Sequence, residues 1–189
     1  TAGTFQVKII TGKPPLGSAG LYPTLPPNPP PSNDLCEDAK VLSNELTAGS
    51  TISATPSASL SNELDFCGSV SMMDFRLSPD VWFQVNGTGE WLTVTTCTGL
   101  ASLDYNGFDG VVTVYSGTCT NLTCVTSNDD FYGSTCNPTT AVASWLTDEG
   151  ERYLIRLSGA SELIAGDYGI RIVDGKMEPL PRPENDNCE

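Results

Sequence analysis

The sequence predicts an all-β protein, an antiparallel, jelly-roll-like β-sandwich stapled by disulfides and flanked by Pro-rich linkers. Short segments that alternate apolar and polar residues recur along the chain, and clusters of Gly, Asn and Asp separate them. This period of two is typical of half-buried strands. The segments are rich in Val, Thr, Tyr and Trp, which favour strands. No segment has a convincing 3.6-residue period, so we expect strands rather than helices.

The predicted strands follow one another at short intervals, as they do in sandwiches and jelly rolls. Residues 4–10 alternate apolar and polar side chains and form the first strand. Residues 37–42 suggest one helical turn, and residues 61–79 suggest an irregular loop. The remaining predicted strands span 50–54, 81–85, 92–94, 110–115, 122–126, 141–146, 153–157 and 168–173.

Two sequence patterns occur at both ends of the chain. Residues 3–13 resemble residues 166–176, and the motif Asn-Asp-x-Cys-Glu occurs at 33–37 and again at 185–189. A Pro-containing stretch follows the first pattern and precedes the second in both cases. Self-similarity of this kind indicates a repeat protein. We therefore interpret the chain as a segment of a tandem array of modules.

This interpretation divides the chain into five parts, and a module of about 140 residues can bury a sizeable core. The strand in the first part either ends the preceding module or is donated to an adjoining one. The parts are 1–13 (that strand), 14–32 (Pro-rich linker), 33–175 (the β-sandwich module), 176–184 (second linker) and 185–189 (start of the next module).

The first linker contains eight of the chain's 14 prolines. Its run Pro-Pro-Asn-Pro-Pro-Pro at 26–31 predicts polyproline II, which extends by about 3.1 Å per residue and is semi-rigid. Such a linker sets the distance between modules. Alternatively, it is a ligand for a Pro-binding groove or packs on a neighbouring module.

Composition excludes several classes of function. The formal net charge is −14, which argues against nucleic-acid binding because phosphate contacts need clustered Lys and Arg. The charge suits solubility, cation binding or repulsion along a fibre. No run of 18 apolar residues is present, so we expect no membrane span.

The seven cysteines predict an oxidising, extracellular or cell-surface setting. No Cys-x-x-Cys pair and no histidine is present, so zinc-site interpretations lack their usual ligands. Six cysteines lie in the module and allow 15 connectivities. The preferred pairs are Cys36–Cys67, Cys97–Cys136 and Cys119–Cys124. Cys188 would then find its partner beyond the sequence.

Attached glycans are predicted at two kinds of position. The sequons Asn86-Gly87-Thr88 and Asn121-Leu122-Thr123 fall in predicted turns or strand starts, where an acceptor is exposed. The linker resembles the O-glycosylated or hydroxyproline-glycosylated stalks of algal and plant surface proteins; a bare proline spacer is the alternative. Candidate linker acceptors are Pro26, Pro27, Pro29, Pro30, Pro31 and Ser32.

Acidic turns surround the predicted strand at 110–115. They contain Asp104, Asn128 and the calcium-ligand candidates Asp109, Asp129 and Asp130. Calcium favours clusters of carboxylate and carbonyl oxygens. Aspartate also occurs in turns for local reasons, because it bonds its own backbone. Both interpretations stay open, and no other cofactor is expected.

Catalysis has little support in the sequence. Without histidine, no Ser-His-Asp or Cys-His arrangement can form within this chain. We therefore expect a protein that is not an enzyme. Trp82, Trp91 and Trp145 could form a sugar-stacking platform, although buried strand aromatics are commoner.

Several short motifs, taken in order over 33–175, carry a family resemblance. They are residues 33–39 (Asn-Asp-Leu-Cys-Glu-Asp-Ala), 80–83, 92–97, 108–109, 114–119, 127–130 and 150–155. In this order they resemble secreted β-sandwich repeats related to the bacterial pre-peptidase C-terminal domain, which occur in tandem in algal, protist and bacterial surface proteins. The resemblance implies a jelly-roll-like sandwich and a non-catalytic, extracellular accessory role, and some relatives bind calcium.

The sequence therefore predicts a structural repeat unit of an extracellular, glycosylated fibre or cell-surface appendage, assembled head to tail from copies of itself. One alternative is an adhesion or carbohydrate-binding module of a larger secreted protein. Another is an accessory domain of a secreted hydrolase. A fibre would show further Asn-Asp-x-Cys-Glu repeats on both sides, whereas a lectin would show exposed aromatic residues.

Overall fold

A computed structural model of the chain describes residues 28–57, 78–97, 108–131 and 139–178. A short 3-10 turn, Cys36–Asp38, precedes the first strand. The strands in these ranges are β1 Lys40–Val41, β2 Thr47–Ser50, β3 Asp80–Asn86, β4 Trp91–Thr95, β5 Gly110–Thr118, β6 Asn121–Asn128, β7 Val142–Leu146, β8 Arg152–Gly159 and β9 Asp167–Asp174.

The strands form two sheets that pack face to face. One sheet has the order β1-β3-β8-β5-β6, and the other has the order β2-β9-β4-β7. β1 pairs with β3 in parallel. The other pairings in the described residues are antiparallel. The predicted all-β antiparallel sandwich is confirmed.

The alternating pattern located β3 to β9 within a few residues, but two predictions near the start of the module were wrong. The predicted strand at 50–54 lies earlier, at β2, because residues 51–54 form a turn in which Ser53 has a φ of 71°. The predicted helical turn is only the 3-10 turn, since Lys40 and Val41 pair with β3 instead. The strand predicted at 4–10 and the loop at 61–79 lie outside the described residues.

The main core lies between the two sheets, where alternate strand residues meet. Phe83 and Ile155 reach it from the larger sheet, and Ile170 reaches it from the smaller one. Phe83 and Tyr168 make an edge-to-face contact across the layers, with 5.9 Å between ring centroids. Truncating a buried aliphatic core residue such as Ile155 to Ala typically lowers the free energy of unfolding by about 2–5 kcal/mol.

The five-stranded sheet is also buried on its outer face. Trp82, Tyr115 and Leu154 point away from the main core, yet each is 1% exposed or less. They form a second apolar cluster with Ala39 and Leu122, against which Cys36, Cys119 and Cys124 pack. The segment that precedes β1 thus covers this face.

A disulfide between Cys36 and Cys119 fixes that covering segment, with 5.7 Å between Cα atoms. The predicted pairs Cys36–Cys67 and Cys119–Cys124 are therefore wrong. Cys119 lies in the turn of the β5–β6 hairpin, whereas Cys124 pairs with Tyr115. Cys124 is three residues into β6, and at about 3.3 Å per residue it lies roughly 10 Å from the turn that contains Cys119. This distance is too long for a disulfide.

The other two described cysteines also form disulfides. Cys97 and Cys124 are both disulfide-bonded, and their partners lie outside the described residues. The predicted pair Cys97–Cys136 stays a prediction, because Cys136 is not among those residues. Cys67 and Cys188 lie outside them as well.

A buried ion pair crosses the outer face of the larger sheet. Arg156 Nη2 lies 2.9 Å from Asp80 Oδ2, and the two side chains are 1% and 0% exposed. Ser57 donates both its backbone N–H (2.8 Å) and its hydroxyl (2.7 Å) to the same carboxylate. Trp82 Nε1 donates to the Ser57 hydroxyl at 2.9 Å. These bonds satisfy a charge that would otherwise be costly to bury.

We predict that Asp80→Ala lowers the free energy of unfolding by about 3–5 kcal/mol, because it removes the carboxylate that lies 2.9 Å from the buried Arg156 guanidinium. Glu178→Ala is the matched control, since it removes an exposed pair with Lys176 and should cost at most about 1 kcal/mol. Denaturant titration of both variants measures the difference. Equal losses would show that the buried pair is not a structural requirement.

Candidate metal site and glycan acceptors

The structure brings together the three predicted calcium-ligand candidates, hereafter the acidic cluster. Asp109 directly precedes β5, whereas Asp129 and Asp130 directly follow β6. Because β5 and β6 are antiparallel neighbours, with Val112 opposite Asn128, these two ends meet. One carboxylate oxygen from each aspartate lies within 4.8 Å of the others.

Backbone hydrogen bonds hold the two arms of the cluster in place. The Asn128 side chain accepts from the N–H of Val142 at 2.8 Å and donates to the carbonyl of Asp130 at 3.1 Å. The N–H of Ala160 donates to the carbonyl of Asp109 at 2.9 Å. Asn128 is thus a positioning residue, and the other sequence candidate, Asp104, lies outside the described residues.

Burial and electrostatic repulsion raise the pKa values of two carboxyls in this cluster. Burial, and then the charges of Asp109 and Asp130, raise the pKa of the Asp129 carboxyl to about 6 from 3.8. Burial also raises the pKa of Asp109, and Asp130 adds to the effect. One oxygen of Asp109 and one of Asp129 are buried without a hydrogen-bond partner among the described residues.

The donor atoms suit a hard divalent cation. Calcium binds oxygen ligands at about 2.3–2.6 Å, so two ligands on opposite sides of one ion lie about 5 Å apart. The 4.8 Å spread of the three oxygens is compatible with that separation. The chain has no histidine, and carboxylate oxygens favour calcium or magnesium over copper or zinc.

Aromatic packing supports the base of the cluster. Phe131, next to Asp130, is buried. The ring of Phe108, next to Asp109, packs against that of Tyr168 in a tilted arrangement, with 6.4 Å between the ring centroids. Gly110 allows this arrangement, because a Cβ there would come within 2.7 Å of the Phe108 ring. These contacts tie the carboxylate positions to the main core.

Both predicted N-glycosylation acceptors are exposed. Asn86 is the last residue of β3, and Asn121 is the first residue of β6. Each could carry a glycan without entering the core, but occupancy stays a prediction. In the linker, Pro29, Pro30 and Ser32 are exposed and Pro31 is partly so. Pro26 and Pro27 lie outside the described residues.

The three tryptophans do not form one sugar-stacking platform. Trp82 and Trp145 are buried, at 1% and 3% exposure, and serve as packing residues. Trp91 is 37% exposed, and the Lys176 ammonium lies 5.1 Å from its ring centroid. This contact is a surface cation–π interaction.

Fold and site together define a disulfide-bonded antiparallel β-sandwich with an acidic cluster at one end of a hairpin. No family model matches the chain, and no curated protein does. The resemblance to pre-peptidase C-terminal repeats therefore stays a prediction. In the described residues, no helix has the length and apolar character needed to cross a membrane.

One solved structure with a similar chain is that of CorA, described as a surface-associated copper-binding protein important in Methylomicrobium album BG8 copper acquisition. The two chains share 11% identity, with a TM-score of 0.42. The match covers 72% of this chain and 98% of CorA. At this distance the similarity carries no argument about function.

We predict that the metal-free protein loses stability as the pH rises from about 4 to above 6. The folded-state pKa of Asp129 lies above its ordinary value, so the protonated form stabilises the fold, and this contribution disappears on ionisation. The carboxyl is partly exposed, and we therefore expect a loss of only about 1–2 kcal/mol.

Thermal melts across this pH range, in the presence of a chelator, measure the effect. Asp129→Asn should flatten the pH dependence, whereas Asp148→Asn, at an exposed site outside the cluster, should leave it unchanged. The same pH dependence in both variants would show that Asp129 is not its source.

Proposed function

We propose that this chain is a repeating structural unit of an extracellular, glycosylated fibre or cell-surface appendage, joined head to tail through Pro-rich linkers and without enzymatic activity. The observation that carries the proposal is the recurrence of the same two sequence patterns at both ends of the chain. β9 corresponds to the second copy of the first pattern, and it is a central strand of the smaller sheet.

The β9 side chains explain the alternation in residues 3–13. Tyr168, Ile170 and Ile172 all point into the main core. In the matching sequence, apolar residues occupy the same three positions. A strand with this pattern needs a sheet to bury its apolar side, and in this module that place is filled by β9. Residues 3–13 therefore fit the last strand of another module.

The exit from β9 supports a fixed rather than a loose joint. Gly175 has a φ of 90° and donates its N–H to the carbonyl of Trp91 at 2.8 Å. The Thr93 hydroxyl donates to the Gly175 carbonyl at 2.6 Å. The N–H of Met177 lies 3.3 Å from the Thr93 hydroxyl and 3.2 Å from that of Ser144. The chain thus enters its second linker in a set direction.

Several observations support an extracellular location. The four described cysteines are all disulfide-bonded, and disulfides persist in oxidising compartments. The two sequon asparagines are exposed, as glycan attachment requires. The net charge of −14 favours solubility and mutual repulsion of neighbouring modules.

Electron microscopy of the native material tests this proposal. We expect bead-like modules along a filament, with glycan density at Asn86, Asn121 and the linkers. The linkers 14–32 and 176–184 differ by ten residues, so the gaps between beads should differ by about 30 Å if both linkers are extended. A single bead attached to an unrelated catalytic domain would contradict the repeat.

We further propose that the acidic cluster binds calcium and stabilises the module. The observation that carries this proposal is that two of the carboxylate oxygens in this group of three aspartates are buried and have no hydrogen-bond partner in the part of the chain that the structure describes. Three like charges at this spacing repel one another, and a divalent cation would offset that repulsion. An extracellular module has access to millimolar calcium, which matches sites with dissociation constants of about 10⁻⁴–10⁻³ M.

We predict that about 10 mM calcium at neutral pH stabilises the protein by roughly 1.4–2.7 kcal/mol, the range set by that affinity. Melting curves with calcium and with chelator measure the shift. Asp109→Asn and Asp129→Asn should each abolish the shift, and Asp148→Asn should retain it. Identical melting of the unmodified protein with and without calcium would refute the site.

A further inference from the structure

The motif Asn-Asp-x-Cys-Glu at 33–37, hereafter the anchor motif, fixes the start of the module to the larger sheet. Asn33 is 1% exposed, and its side-chain amide donates to the carbonyl of Trp82 at 2.9 Å. In return, the N–H of Trp82 donates to the carbonyl of Asn33 at 2.8 Å. The first residue of the motif is thus joined to Trp82 of β3 by two hydrogen bonds.

Asp34 makes the second contact of the anchor motif. One carboxylate oxygen accepts from the N–H of Thr55 at 2.7 Å, and the other accepts from the Thr55 hydroxyl at 2.7 Å. The N–H of Asp34 donates to the carbonyl of Pro31 at 3.0 Å, which fixes the end of the linker as well. The side chain is 8% exposed, so these bonds are largely shielded from water.

Cys36 makes the third contact, through its disulfide to Cys119, 83 residues later in the chain. Leu35, the variable position of the motif, is 54% exposed. The corresponding residue of the second copy is Asn187. The two copies therefore share the three residues that make these contacts and differ at the exposed position of Leu35.

We propose that residues 185–189 are a second anchor motif, which docks on β3 and the β5–β6 hairpin of another copy of the module, with Cys188 bonded to that copy's counterpart of Cys119. This inference rests on the proposed function, because it requires a further copy of the module. It identifies the partner of the seventh cysteine as a defined position on a hairpin turn.

The equivalence of the two motifs places this partner in another copy, because Cys119 of this module is already bonded to Cys36. Cys36 and Cys119 bond each other, and Cys97 and Cys124 are also in disulfides. In the new bond, two thiols lose two protons and two electrons. A disulfide oxidant accepts them and is reduced to two thiols.

The first test uses the full chain with Cys36→Ser, folded in a mixture of oxidised and reduced glutathione. This change frees Cys119, and the tail motif of a second molecule can then compete for the anchor position. We expect disulfide-linked oligomers in which Cys119 is bonded mainly to Cys188, as shown by peptide mapping. Cys36→Ser combined with Cys188→Ser should lose these oligomers. A free Cys119, or its indiscriminate pairing, would overturn the inference.

A second test places residues 185–189 directly in front of a second module within one chain. Residues 1–189 are extended directly by residues 38–175, so that the only anchor motif preceding the second module is 185–189. We expect two folded modules and a Cys188–Cys119 peptide. The matched control, 1–184 extended by 33–175, retains the original motif in front of the second module. Folding of the control alone, or a free Cys188 thiol in the test protein, would overturn the inference.

The two proposals can fail separately. If the native material lacks recurring beads but the Cys188–Cys119 bond forms, the fibre proposal fails and the anchor equivalence stands. If beads recur and the bond does not form in either test, the anchor inference fails alone.

Discussion

Burial of the larger sheet on both faces is the constraint on which the rest of the structure depends. An antiparallel sheet of a sandwich normally leaves one face to solvent. Here that face contains Trp82, Leu154 and the Asp80–Arg156 pair, all removed from water. The covering segment that precedes β1 is short and can contribute little hydrophobic burial by itself. The Cys36–Cys119 bond therefore links it to the β5–β6 hairpin, across 83 residues of chain.

The same hairpin connects the anchor to the acidic cluster. Its turn contains Cys119, and its open end presents Asp109 opposite Asp129 and Asp130. The turn is held by a covalent bond, whereas at the open end burial and neighbouring like charges raise the pKa values of Asp109 and Asp129. A cation at the open end would reinforce the hairpin where the disulfide does not. The ends of one supersecondary element would then be stabilised by two different kinds of bond.

The proposed joint between modules would follow from how the module begins and ends. The chain enters through the anchor motif on the larger sheet, and it leaves from β9 across Thr93 and Ser144 of the smaller sheet. Both connections are hydrogen-bonded to the body of the sandwich. In the proposed array, a Pro-rich linker between two such fixed ends would transmit orientation as well as distance. Such an arrangement would be more specific than a flexible spacer between independent domains.

The sequence by itself determined the strands β3 to β9, because short runs rich in Val, Thr, Tyr and Trp lie between clusters of Gly, Asn and Asp that favour turns. It also located the acidic cluster, because residues that precede the first strand of a hairpin and residues that follow its second strand lie at the same open end. Tertiary structure alone decided the disulfide partners and the early elements. Whether Cys36 bonds Cys67 or Cys119 depends on which distant part of the chain the covering segment packs against, and no local pattern encodes that. Similarly, Trp82 and Trp145 look alike as strand aromatics, and only the packing shows that one supports the outer face and the other the main core.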